Sequence, residues 1–126
     1  MKKVIQTDKA PKAIGPYSQA IEAGNLIFLS GQIPINPATG ELVGGDIRQQ
    51  ARQILENLKH ILESRGLSMN QVVKTTIFLK DLGNFGPVNE VYSTFFPEEP
   101  PARSTVQVAA LPRDTDIEIE AIAFKD

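Results

Sequence analysis

A chain of 126 residues with 41% hydrophobic content is long enough for one globular domain that buries roughly two thirds of its unfolded surface. It has no cysteine, which excludes disulfides, thiolate nucleophiles and cysteine-ligated zinc, and its lone histidine, His60, cannot build a histidine-rich metal site. A net charge of −2 gives no overall attraction for nucleic acid or anionic membranes. Met1-Lys-Lys-Val-Ile is too short and too soon polar for a signal peptide, and no apolar run approaches a membrane span, so a cytoplasmic protein is expected.

Lys3 to Thr7 reads as a first strand, and Ala10 to Pro16 as a rigid loop, because two prolines and a glycine forbid regular pairing. Tyr17 to Ala23 and Leu26 to Ser30 flank Gly24-Asn25, a two-residue turn signal that predicts a hairpin. Gly31 to Gly40 carries two prolines and two glycines and is expected as loop. Asp46 then caps a helix in which Ile47, Ala51, Ile54, Leu58 and Ile61 recur at helical spacing, widened by Leu55 and Leu62 and ended by Gly66. His60 falls beside this stripe and reads as a solvated histidine. Gln71 to Lys80 is a β-branched strand with Val73, Thr75, Ile77 and Leu79 on one face, and Val72, Lys74, Thr76, Phe78 and Lys80 on the other. Asn84 is placed to cap a second helix, with Pro87 in its first turn and Phe85, Val88, Tyr92 and Phe95 as its buried stripe. Pro97 to Pro101 breaks the chain before a final pair of strands, expected as a hairpin.

The order β, ββ, α, β, α, ββ describes an α+β domain of about six strands and two helices. Two helices cover only one face of such a sheet, so the other must meet water or another subunit. If the apolar residues of the last two strands face the helices, Arg103, Thr105, Gln107, Glu118 and Glu120 all project from the uncovered face, beside Phe78, Ile122 and Phe124. Arginine offers a planar fork of donors matched to a carboxylate, and a nearby glutamate can orient water or exchange a proton with nitrogen. Such a set fits a small acid with a reactive group close to its carboxylate, and equally an ion-paired surface. The glycines from Gly40 to Gly45 have no Walker lysine, and Ser18, Ser30 and Ser104 have no histidine partner for a hydrolase triad.

Several segments resemble the RidA family of reactive intermediate (enamine/imine) deaminases. They are Ala13-Ile-Gly-Pro-Tyr-Ser-Gln-Ala20, Ser30-Gly-Gln-Ile-Pro34, Val73 to Leu82, Val88-Asn-Glu-Val-Tyr92, Pro101-Ala-Arg-Ser104 and Ile117-Glu-Ile-Glu-Ala-Ile122, in uninterrupted order from about residue 3 to residue 124. The resemblance implies a chorismate-mutase-like α+β fold, assembled as a homotrimer with clefts between subunits. It implies hydrolysis of 2-aminoacrylate and related enamines or imines to 2-keto acids and ammonia, with no metal or organic cofactor. The functional partners it implies are pyridoxal-phosphate-dependent dehydratases that release these intermediates. By position, Arg103 resembles the arginine that pairs with the substrate carboxylate and Glu118 the acid that positions the water. Tyr17, Ser30, Gly31 and Asn89 resemble cleft-lining residues, and Thr105 stands where some members carry cysteine. Rival readings are a non-catalytic 2-keto-acid-binding regulator, an RNA-cleaving protein, which the acidic balance disfavours, and a holding chaperone.

Overall fold

The computed structural model describes residues 1–126. Eight regular elements run in the order β1 (Lys2–Ile5), β2 (Ala20–Ala23), β3 (Leu26–Gln32), α1 (Ile47–Glu63), β4 (Val72–Leu79), α2 (Phe85–Phe95), β5 (Ala102–Gln107) and β6 (Ile117–Phe124). α1 forms as its sequence dictates. Asp46 sits in extended conformation and its Oδ1 accepts the Gln49 N–H at 3.0 Å, while Ile47, Ala51, Ile54, Leu55, Leu58, Ile61 and Leu62 are all buried. Gly66, at φ +74°, closes it, with Leu67 N–H bonding Leu62 O and Gly66 N–H bonding Glu63 O. Each aliphatic side chain buried in this way contributes roughly 1.5–3 kcal/mol. α1 supplies seven members of a single cluster of 25 buried hydrophobic residues between the helices and the sheet.

The six strands form one mixed sheet in the order β1-β2-β3-β6-β4-β5. All neighbours are antiparallel except β4 and β5, which run parallel and are joined through α2. Ile117, Ile119, Ala121 and Ala123 of β6 are buried against the helices. On the opposite face Val4, Ile21, Phe28 and Ile122 are successive cross-strand neighbours, and Val4, Phe28, Val106 and Phe124 are exposed. No helix is long and apolar enough to cross a membrane.

Four local readings change. The last two strands are not a hairpin, because β4 lies between them. A bulge in β4 between Val72 and Lys74 flips the start of that strand, leaving Val72 buried at 5% exposure and Val73 exposed at 46%. On α2 the buried positions are Val88, Val91 and Tyr92, while Phe85 is exposed and Asn84 makes no side-chain cap. The preceding turn is held instead by Asp81, whose carboxylate accepts Gly83 N–H at 2.8 Å. His60 is fastened rather than free: its Nδ1 lies 2.9 Å from Lys9 O, joining α1 to the loop after β1.

Two buried polar side chains pin the loops. Gln19 Nε2 donates to the carbonyl oxygens of Pro11 (2.7 Å) and Thr7 (3.0 Å), and its Oε1 accepts Thr7 N–H at 2.7 Å, so one side chain rivets residues 7–11. Glu22 on β2 has a side chain only 4% exposed and meets Lys125 Nζ and Arg65 Nη2, each at 2.6 Å. These hydrogen bonds, Lys125 first and Arg65 second, lower the Glu22 pKa to about 2. A depressed carboxylate stabilises the fold above its unfolded pKa and loses that contribution as pH falls through the folded value. Thermal melts should therefore show wild type more stable than Glu22→Gln at neutral pH, with the gap closing between about pH 4.5 and about 2. A constant gap across that window would refute the clamp.

Candidate active site

The open face of the sheet carries a cleft of about 580 Å³ with Tyr17, Ser30, Gly31, Ile33, Glu118 and Glu120 among its walls. Its floor depends on one glycine. A β-carbon at Gly31 would collide with Glu118 Oε2 and lie 2.9 Å from Glu118 Cδ, so only a residue without a side chain lets the carboxylate rest over β3. The Ser30 hydroxyl donates to Ser18 O at 2.6 Å, and Ser30 N–H donates to Gln19 O at 3.0 Å. These bonds hold the end of the 7–19 loop against β3, and with it Tyr17. Ile14 and Pro112 complete the apolar side of the cleft.

Arg103 lies elsewhere. Its register partner across the parallel ladder is Thr75, whose buried hydroxyl is 2.6 Å from the Tyr92 hydroxyl of α2. Arg103 therefore projects on the helix side of the sheet, with Nη1 donating to Asn89 Oδ1 at 2.7 Å. Its guanidinium carbon sits 4.9 Å from the Tyr92 ring centroid and 5.2 Å from that of Phe85. Two aromatic faces and one amide oxygen thus fix the guanidinium plane, and the other N–H donors stay available for an anion. Thr105 follows on the same side, and its Oγ1 is buried with no hydrogen-bond partner. Val108 N–H bonds Leu79 O, so by alternation the main-chain groups of Thr105 point to the outer edge, where no strand pairs.

Arg103 and Glu118 are consequently on opposite faces of one sheet, with β4 between their strands. The expectation that both project from the uncovered face rested on the apolar residues of each strand facing the helices, and it fails on β5: Val106 pairs with Phe78 on the open face and is exposed, while Arg103 and Thr105 pair with the buried Thr75 and Ile77. The electrostatics differ too. Burial pushes the Glu118 pKa up, and the neighbouring Glu120 carboxylate pushes it further. No cation pairs with Glu118, in contrast to the doubly paired Glu22.

A family model described as endoribonuclease L-PSP matches residues 7–125. The 2-iminobutanoate/2-iminopropanoate deaminase of Escherichia coli K12 is 55% identical over 128 residues, covering 99% of each chain. A crystal structure of a putative endoribonuclease from Thermotoga maritima superposes with TM-score 0.97 at 59% identity, covering 100% of this chain and 99% of that one. The RidA structure from an Antarctic Psychrobacter superposes with TM-score 0.93 at 48% identity, covering 97% and 98%. This chain belongs to the RidA family.

Within this RidA chain the site residues expected from sequence separate into two groups. Tyr17, Ser30, Gly31 and Glu118 meet in the open-face cleft, while Arg103, Asn89 and Thr105 gather on the helix side near β5. Sequence reasoning missed the aromatic cradle, assigning Phe85 and Tyr92 to the core alone. The signal was present: Phe85, Asn89 and Tyr92 fall at i, i+4 and i+7 on α2, and a polar Asn inside an aromatic stripe marks a face that meets something charged. Carbon-detected NMR titration should find Glu118 ionising above the ordinary glutamate range. Glu120→Gln should lower that value without restoring the ordinary one, because burial is the larger cause. An ordinary Glu118 titration in the intact protein would remove the electrostatic argument for its role.

Proposed function

We propose that this protein is a hydrolytic deaminase of small 2-imino acids, working as a homotrimer whose active sites lie between subunits. The observation that carries this reading is Glu118: an unpaired carboxylate, held over Gly31 in a cleft with one apolar side, with its affinity for protons raised by burial. Such a group suits proton transfer from water. Arg103 cannot reach the same cleft within one chain, because it lies across the sheet. A second copy docked on the open face would bring its own Arg103, Asn89 and Thr105 to the mouth of this cleft. The exposed Val4, Phe28, Val106 and Phe124 give that face a reason to be covered.

In the reaction R–C(=NH)–COO⁻ + H₂O → R–C(=O)–COO⁻ + NH₃, the carboxylate is gripped by the Arg103 fork of the neighbouring copy. The outward main-chain groups of Thr105 lie two residues along the same edge. The grip orients C2 toward Glu118, which takes a proton from water as its oxygen adds to that carbon and returns it to the imine nitrogen, giving the neutral carbinolamine. Glu118 then moves the carbinolamine hydroxyl proton to the amino nitrogen, the C–N bond breaks, and ammonia leaves as the C=O bond forms. Orientation and acid–base help together suffice, since proton transfer by a placed side chain contributes roughly 10²–10⁴-fold. Imines of this kind are released by pyridoxal-phosphate-dependent dehydratases, which makes those enzymes the natural functional partners. The 2-iminobutanoate/2-iminopropanoate deaminase of E. coli, at 55% identity, supports the substrate class.

Subunit mixing tests the arrangement. Arg103→Ala and Glu118→Gln should each lose activity by about 10² or more when assayed alone, as trimers. Unfolding the two together in equal amounts and refolding them should restore about a quarter of wild-type activity, from sites pairing an intact Arg103 with an intact Glu118. If the mixture stays as inactive as its components, the two residues do not meet across subunits. Full activity in either single variant would remove that residue from the mechanism.

A further inference from the structure

A second cavity, of about 240 Å³, adjoins the Glu118 cleft and shares Ile14, Tyr17, Gly31, Ile33 and Pro112 with it as a common wall. At about 30 Å³ per water it has room for roughly eight waters, enough for a short methylene arm and a polar head. Besides Gln19, whose amide is already bonded to the 7–11 segment, three polar residues that the chemistry at Glu118 does not use line it: Lys12, Gln32 and Arg113.

Gln32 makes the case that this space is built to hold a ligand. It is only 6% exposed, and its amide makes no hydrogen bond within the chain, although buried polar groups are almost always paired. The amide is not fully sealed, since the one fully buried unpaired side-chain atom is Thr105 Oγ1. Gln32 lines the cavity; past the bulge in β3 its register partner is Ile119, so its side chain lies toward the helix side at this end of the sheet. Its amide is left there without a partner in the chain.

Arg113 is brought to the same cavity by a costly turn. It and Asp114 both lie in the left-handed region, at φ 54° and φ 57°, a conformation that is unfavourable outside glycine. Asp114 is anchored by Lys80 Nζ at 2.7 Å and by its N–H to Leu111 O at 3.0 Å. Arg113 itself has no ion-pair partner, and neither does Lys12, which follows directly on the segment riveted by Gln19. The opposite wall is apolar. Ile35 is positioned there through its carbonyl, which accepts from the buried Asn57 Nδ2 at 2.9 Å.

Two unpaired cations, one unmet amide and an aliphatic wall select a flexible apolar arm with an anionic end. We propose that this cavity is a side-chain subsite for acidic imino acids, those whose side chain ends in a second carboxylate, with Arg113, Lys12 and the Gln32 amide as its receptors. The proposal rests on the deaminase reading of the adjoining cleft, where the imine carbon itself would sit.

The test compares an acidic imine with its uncharged, methyl-terminated counterpart of equal length, each generated in place by an amino-acid oxidase. Calorimetric binding of the matching 2-keto diacid and 2-keto monoacid is measured in parallel. Wild type should favour the diacid by about tenfold or more in both kcat/KM and Kd, as expected for charge-assisted hydrogen bonds, and the preference should shrink with added salt. The Lys12→Ala/Arg113→Ala double variant should lose that preference by about tenfold, and Arg113→Lys alone should keep only part of it, since the charge stays while the two-point fork is lost. Both altered side chains are exposed, and circular dichroism checks that the fold is kept. Equal treatment of diacid and monoacid by wild type overturns the subsite while leaving the deaminase reading intact, provided that the uncharged imine is turned over. An unchanged preference in the double variant does the same. Failure to hydrolyse either imine overturns both.

Discussion

Two adjacent parallel strands cannot be closed by a tight turn, so β4 and β5 have to be connected across one face of the sheet, and α2 makes that crossing. From this the rest of the layout follows. α2 lies over the inner side of β5, and the arginine carried there is caught between its aromatic residues. The other side of β4 is left for β6, which runs antiparallel between β3 and β4 and presents its glutamates to the opposite face. Arg103 and Glu118 are thus held apart by the sheet itself. The same crossing leaves β5 as an edge strand with outward main-chain groups, and the helices leave the other face bare, with apolar residues exposed among its charges.

Some buried polar groups are satisfied, while several beside the clefts are not. Gln19, Glu22 and Asn57 are buried, and each has partners that fix a loop or the chain end. Thr105 Oγ1, the Gln32 amide, the unpaired Glu118 and the left-handed Arg113 and Asp114 all cost free energy that the isolated chain does not recover. Their placement at β5, at the Glu118 cleft and at the cavity behind it concentrates the unmet capacity where ligands and a second copy would arrive.

Much of this was legible in the sequence. The strand and helix count, the α1 stripe with its Asp46 cap and Gly66 stop, and the single covered face follow from periodicity and capping, which act over a few residues. The inward and outward sets of β6 also read correctly, because its alternation is uninterrupted. Strand order did not, since neighbours in sequence pair by default and nothing local says that β4 will separate β5 from β6. The facing of Arg103 failed for another reason: the apolar Val106 was taken to mark the helix side of β5, and it lies on the open face. Val72 and Val73 were exchanged for a smaller reason: one bulged residue reverses every face before it, and two consecutive valines carry no mark of which is bulged. Gly31 was recognised only through a motif, and its purpose, clearance for a carboxylate on a strand remote in sequence, is a fact of packing alone.

That clearance binds the fates of two positions. As long as Glu118 is in use, position 31 is closed to every side chain, since even a methyl group would displace the carboxylate. Once Glu118 is replaced by something shorter, position 31 is free to drift. A lineage that abandons the chemistry while keeping the fold should therefore lose its glycine soon after its glutamate, and rarely in the reverse order. Residue 31 would then serve as a fossil record of activity, readable even where the acidic strand itself has been rewritten.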